Sequence, residues 1–159
     1  MRKLFFIILS LFLLYSCKSK TALDFSEAIV DREKSLETDI MKTEARVKDF
    51  IIAGQYDSMA IVSGKMEKLV DTKLNEIKGL STPDLKFAGD FKSDAIEYFT
   101  YMKSVYTCYV KFAKAGTDEL REKEYSNLQE IVNKKNMVIT KMRDSQKKFA
   151  EANGFRLKE

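Results

Sequence analysis

The chain has no histidine and no tryptophan, one proline, six glycines and two cysteines in 159 residues. Each shortage excludes something. Without histidine, the commonest general base and metal ligand is gone. The Glu-x-x-His pairs of di-iron carboxylate bundles cannot be built, and haem cannot be held through histidine. Two cysteines give no paired spacing for zinc and no disulfide framework. No glycine-rich phosphate loop and no serine elbow appears. Strand-like alternation is missing as well. Low proline and glycine, with 33% of residues charged, is the composition of long helices. The formal charge of +4 is nearly balanced and does not argue for nucleic acid.

What is present begins at the N-terminus. Arg2 and Lys3 give a basic start, and Leu4 to Tyr15 is an almost unbroken apolar run. About twelve residues are too few to cross a bilayer core of ~30 Å, which needs ~20 helical residues. A basic start, a run of this length and a small residue before a cut site are the parts of a secretory signal. The run ends in Leu14-Tyr15-Ser16-Cys17. This stretch resembles the signals of bacterial lipoproteins, which end in Leu, two small residues and Cys. Leu14, Ser16 and Cys17 match, and Tyr15 departs from the small residue usual there. The resemblance covers about 20 residues. It implies cleavage between Ser16 and Cys17, lipidation of Cys17 and acylation of the new amine. Several acyl chains anchor stably, at ~0.8 kcal/mol per buried methylene, whereas one chain alone is marginal. Lys18-Ser19-Lys20 follows, with neither an Asp after Cys17 nor an acidic tract. By the same resemblance, the address is the outer membrane, with periplasmic and surface faces both open.

Removing residues 1–16 leaves 143 residues, a length suited to one domain with a useful core. The mature chain carries 26 basic and 24 acidic side chains. Cys108 is then the one cysteine besides Cys17. Its spacing beside an apolar stripe reads as a small buried hydrophobe, with pairing between chains as the sharper alternative in an oxidising compartment.

Residues 17–23 read as the anchor and a short polar tether, reaching at most ~20 Å. Residues 24–159 read as one helical domain. The first helix is predicted from Phe25 to Ala53, capped by Asp24 and stopped by Gly54. Ile29, Leu36, Ile40, Val47, Phe50 and Ile51 form its apolar stripe. The second is predicted from Ser58 to Lys78, capped by Asp57. Its stripe is Met59, Val62, Met66, Leu69, Val70, Leu74 and Ile77, and Gly64 inside it reads as a close approach by a neighbour. Gly79 to Pro83 is punctuation, with Ser81 or Thr82 as the next cap and Pro83 in the first turn. The third helix then runs to Ala115. Ala88, Phe91, Ala95, Tyr98, Met102, Val105, Tyr109 and Phe112 form its stripe, with Phe87, Phe99, Tyr101 and Tyr106 on flanking faces. Thr117 caps the fourth, which runs to Asn153 with Gly154 as terminator. Its stripe of Tyr125, Leu128, Val132, Ile139, Met142 and Phe149 is interrupted by Lys135 and Gln146.

Four long amphipathic helices with short loops predict an all-α fold, an antiparallel up-down-up-down four-helix bundle behind the signal peptide. An extended hairpin closed by a partner chain is the alternative. In the bundle, both chain ends share one end with the turn between helices two and three. The turns at Gly54-Gln55-Tyr56 and Ala115-Gly116-Thr117 point away from the lipid.

Residues Asn133 to Glu159 carry eight basic side chains against three acids. Lys147, Lys148, Arg156 and Lys158, with Lys18 and Lys20, form a candidate basic patch toward phosphate-rich head groups. The bland alternative is favourable charge at a helix C-terminus. Glu33, Glu37, Glu44, Glu122 and Glu130 read as a solvated face. Tyr56 and Tyr101 read as exposed tyrosines suited to partner contact. No catalytic residue, metal site or cofactor is expected. The chain reads as a non-enzymatic binding, adhesion or structural module, attached to the membrane through Cys17 and with an envelope partner of unknown identity. A small-ligand carrier or sensor using the third-helix aromatics is the alternative.

Overall fold

The structure, a computed structural model, describes the backbone over residues 2–157 and the side chains over residues 18–157. It is all-helical: α1 (Arg2–Ile52), α2 (Tyr56–Gly79), α3 (Ala88–Lys114), α4 (Asp118–Asn133) and α5 (Lys135–Asn153). No strand occurs among the described residues. The side chains of the expected signal segment, including Ser16, and of Cys17 lie outside the described ones, as does Lys158. Among the described residues, no helix is long and apolar enough to cross a membrane.

The apolar stripes pack as their spacing requires. Ile29 and Leu36 of α1, Val70 and Ile77 of α2, Phe91 and Phe99 of α3, and Phe149 of α5 are fully buried in one core. Phe25, Phe91 and Phe149 form a three-ring cluster, with centroids 5.6–6.2 Å apart. Burying such a ring contributes ~1.5–3 kcal/mol each. A smaller cluster of Val47, Met59, Val62 and Ala113 lies where α1, α2 and α3 meet. α3 is central: it packs on α2, α4 and α5, while α1 packs on α2 and α5.

Polar pairs fix the register between helices. Tyr98 pairs with Glu33 and Tyr109 with Glu44, so numbers rise together on α1 and α3. Lys103 meets Asp71 and Thr107 meets Glu67, so numbers fall on α2 as they rise on α3. Gln146 meets Ser26 and Gly154 meets Ser19, again in opposite order.

The helix ends carry most of the corrections to the sequence reading. Residues 18–23, expected as a tether, are helical, and Ala22 is fully buried. Ala22 and Phe25 fall on the same face as Ile29, so the stripe extends two turns further back. Packing therefore starts before the expected boundary at residue 24, and Asp24 caps nothing. α2 starts at Tyr56 rather than Ser58, with Gln55 at the cap position. Asp57 sits in the first turn, where it complements the helix dipole. α3 starts at Ala88, five residues later than expected. Pro83 accepts from the Leu85 N–H at 2.8 Å, and Phe87 adopts a left-handed backbone at φ 63°, so the helix cannot begin earlier. Lys92 takes over the cap of α2, donating to the Lys78 and Leu80 carbonyls at 2.9 and 2.6 Å.

The glycine stops are as expected. Gly54 at φ 67° closes α1, with Gln55 N–H donating to the Phe50 carbonyl and Gly54 N–H to that of Ile51. That double bond is the Schellman pattern, which only a positive φ permits. Thr117 caps α4 through its Oγ1, which accepts from Leu120 N–H at 3.2 Å. The expected fourth helix is split at Lys134, whose N–H turns to the Ile131 and Val132 carbonyls. Asn133-Lys134-Lys135-Asn136 has no apolar residue to hold a continuous turn, and Asn is a weak helix former.

Candidate functional site

A cleft of about 760 Å³ lies between α1 and α5 along one flank. Leu23 and Val30 of α1, Ile139 and Met142 of α5, and Phe155 beyond it make the apolar part of its wall. The Gly154 turn brings Phe155 back, because its N–H donates to the Ala150 carbonyl and its ring meets Phe149 edge-on at 5.7 Å. Charged residues of both signs line the cleft as well, Glu27, Asp31, Glu33 and Lys34 on α1, Arg143, Asp144 and Lys147 on α5, and Arg156 beyond it. Gln146, expected as an interruption of the stripe, donates to Ser26 Oγ at 3.1 Å inside it. The lining has the mix of apolar surface and a few polar groups that suits an amphiphilic small molecule.

The aromatics of α3 mostly do not line this cleft. Phe91, Phe99 and Tyr106 are buried in the core, and Tyr98 alone among the α3 aromatics reaches the cleft wall. Phe99 and Tyr106, expected on flanking faces, are thus more deeply buried than the half-buried Tyr98 and Tyr109 of the expected stripe. Tyr56 is half-buried, edge-on to Phe112 at 5.8 Å, and Arg121 stacks over its ring at 4.4 Å. It is a structural tyrosine, not the exposed one expected. Tyr101 is half-buried too.

Two of the glutamates read as solvated are in fact acceptors. Glu33 takes the Tyr98 hydroxyl at 2.8 Å and Glu44 takes that of Tyr109 at 3.0 Å. Burial raises the hydroxyl pKa values of Tyr98, Tyr106 and Tyr109 above the ordinary 10.0, and the nearby carboxylate raises them further. Burial likewise pushes up Tyr101. Burial thus favours the neutral phenol at each of these positions.

The expected basic residues come together at one end. Lys18 and Lys20 on α1, Lys147 and Lys148 on α5, and Arg156 beyond it are all exposed. Ser19 Oγ donates to the Gly154 carbonyl at 3.2 Å, joining the two chain segments. One helical step separates Lys147 and Lys148, so they diverge. Lys147 and Arg156 face the α1 cleft, while Lys148 lines a shallow depression shared with Phe87. Lys141, counted in the same basic segment, is engaged elsewhere: it bridges Asp94 at 3.1 Å and Glu97 at 2.5 Å on α3. Sequence reasoning missed Phe87 and Lys86 in this region, because Pro83 suggested a helix through them. The isolated signal was Phe87 itself, an aromatic off the α3 stripe.

Among the described residues, no group of three or more His, Cys, Asp or Glu side chains is placed to hold a metal ion. Cys108 is buried and free. Comparison with protein-family models, with curated proteins and with solved structures finds no match to this chain.

Proposed function

We propose that this chain is a non-enzymatic, lipid-anchored lipoprotein of a bacterial envelope, built as an antiparallel up-down-up-down four-helix bundle. α4 and α5 together make the fourth helix. The register of the Tyr98–Glu33, Lys103–Asp71 and Gln146–Ser26 pairs supports that topology. In this reading the signal is removed after Ser16, Cys17 carries the lipid, and the outer membrane holds it. The base of the bundle lies against the head groups, while the α1–α2 and α3–α4 turns face away toward a protein or envelope partner.

The observation that carries the reading is the meeting of Ser19 with Gly154. It sets Lys18 and Lys20 beside Arg156, two residues from the proposed lipid on one side and at the end of α5 on the other. Because residues 18–23 are helical and Ala22 is fully buried, the anchor has little slack. Ala22 lies five residues past Cys17, a rise of about 7.5 Å along a helix.

The test is metabolic labelling with a palmitate analogue. The expected result is a labelled, membrane-bound protein, and Cys17→Ser without label and retained at precursor size. A processed, membrane-bound Cys17→Ser protein would overturn lipidation at this residue. Protease digestion on intact cells, against lysed cells, then decides the face.

The cleft between α1 and α5 favours a second reading, a carrier or sensor of an amphiphilic small molecule. Its walls, rather than the α3 aromatics, would make the contacts. Ligand-dependent melting of the protein, abolished by Met142→Lys, would support it.

A further inference from the structure

We propose that the α2–α3 turn, residues 80–87, is a second membrane contact, in which Phe87 enters the interface of an anionic phospholipid surface and Lys86 pairs with its phosphates. This rests on the reading that places the α1 start and the α5 end at the membrane.

Phe87 is the one exposed phenylalanine among the described residues, with 38% of its surface open. The others with described side chains are buried or half-buried within the helical core. Its backbone sits at φ 63°, a conformation that L residues with a Cβ avoid. The fold thus leaves part of an aromatic ring open, on a backbone better suited to glycine or asparagine. That open part is apolar surface that an apolar medium would cover.

The position of the turn supplies the charge argument. Asn153 donates to the Lys86 carbonyl at 3.0 Å, so the turn is tied to the end of α5. Ser19 ties α1 to the neighbouring Gly154. Three separate chain segments therefore share one end of the molecule. The Lys86 ammonium lies 5.0 Å from the Phe87 ring centroid, and Lys148 shares a depression with that ring. Asp84, Asp90 and Asp94 are nearby acids, Asp94 already bridged to Lys141, and Glu151 is 4.0 Å from Lys147. Lys18, Lys20, Lys86, Lys148 and Arg156 outnumber them. An apolar ring within a basic surround is the arrangement that inserts at anionic interfaces, the ring entering the acyl boundary and the cations meeting phosphates.

The chain has no tryptophan, so a single introduced indole is a clean probe. The protein is purified from membranes, reconstituted into vesicles of phosphatidylglycerol and phosphatidylcholine with brominated acyl chains, and floated to establish that it is bound. Phe87→Trp is compared with Ile52→Trp, 77% exposed at the opposite end. The expected result is several-fold stronger quenching and a blue-shifted emission for Phe87→Trp. Adding Lys86→Glu should reduce that quenching, as should replacing phosphatidylglycerol with phosphatidylcholine. Floated protein in which both indoles are equally unquenched would overturn the turn contact and leave the anchor reading standing. Quenching of Ile52→Trp in place of Phe87→Trp would overturn both, as would protein that fails to float.

Discussion

Tyr109 donates its hydroxyl proton to Glu44 at 3.0 Å, and Tyr98 donates to Glu33 at 2.8 Å across the same 65-residue offset. Eleven residues separate the two tyrosines, and eleven separate the two glutamates, about three helical turns. The same contact is therefore made twice, three turns apart, between α1 and α3. Each pair leaves a phenol half-buried beside a carboxylate.

That arrangement sets an alkaline limit. Burial first, and the carboxylate second, hold the Tyr98, Tyr106 and Tyr109 hydroxyls above the ordinary 10.0. A raised pKa means that the folded state prefers the neutral phenol. Its contribution to stability is full below about pH 10 and is lost as pH rises beyond it. The tyrosinate absorbance of Tyr98, Tyr106 and Tyr109 is expected to appear together with loss of helical circular dichroism. Titration of these three near pH 10 with helicity intact would contradict the burial.

Ala22 discriminates a packed start from a slack one. It is fully buried in the core beside Phe25, although its place in a short polar stretch after the expected signal suggests a tether. An aspartate there would bury an unpaired charge, costing about 3 kcal/mol or more. Ala22→Asp is expected to lower the urea midpoint substantially, while Lys20→Asp, on the exposed side, leaves it nearly unchanged. Equal midpoints for the two would restore the tether.

The difference between these two positions shows what the sequence could reveal. Periodicity placed Ile29, Leu36, Val70, Leu74, Phe91 and Phe149 in the core, because three-and-four spacing has one physical solution on a helix. It also placed the Thr117 cap and the Gly54 and Gly154 stops, whose chemistry is local. It failed where tertiary contacts decide. Ala22 looks polar-flanked and unremarkable until α5 is set against it. Pro83 suits a first turn, but the chain uses it in a loop that Phe87 ends. The cleft belongs to the spacing between α1 and α5, which no single stripe encodes. The basic end was readable as charge, yet its division between Lys147 and Lys148 needed the helix rotation.

Gly64 offers a gain in stability. It lies inside α2, where its spacing suggests close approach by another helix. An added Cβ would meet Val110 Cγ2 at 3.8 Å, an ordinary contact. Alanine fits and removes the backbone-entropy cost of glycine, about 1 kcal/mol in a helix interior. Gly64→Ala is expected to raise the melting temperature by about 2–4 °C. A fall would mean that α2 and α3 need the missing methyl after all.

α4 is the weakly held element. No residue of it is buried, and Tyr125 and Val132, expected in its stripe, are 47% and 44% exposed. Its start depends on the Thr117 cap, worth about 1 kcal/mol. Thr117→Ala is therefore expected to speed amide hydrogen exchange throughout α4 while α2 and α3 exchange at their former rates. That pattern marks a local opening rather than global unfolding. Uniform acceleration across all helices would show that α4 unfolds only with the rest.

Cys108 tests the α3–α4 contact from the other side. It is 6% exposed, which disfavours the pairing between chains that an oxidising compartment would permit. Burial pushes its thiol above the ordinary 9.0, and the charge of Glu124 on α4 adds to the rise, with Lys111 opposing it. The reactive thiolate is accordingly scarce near neutral pH. Iodoacetamide at pH 8 is expected to label the native protein slowly and the urea-unfolded protein fast. Glu124→Gln should hasten native labelling modestly, by removing one of the two influences that hold the thiol protonated. Thr117→Ala should hasten it more, because opening α4 removes the burial as well as the charge. Rapid labelling of the native protein, or a disulfide-linked dimer on a non-reducing gel, would place Cys108 at a surface that α4 does not cover.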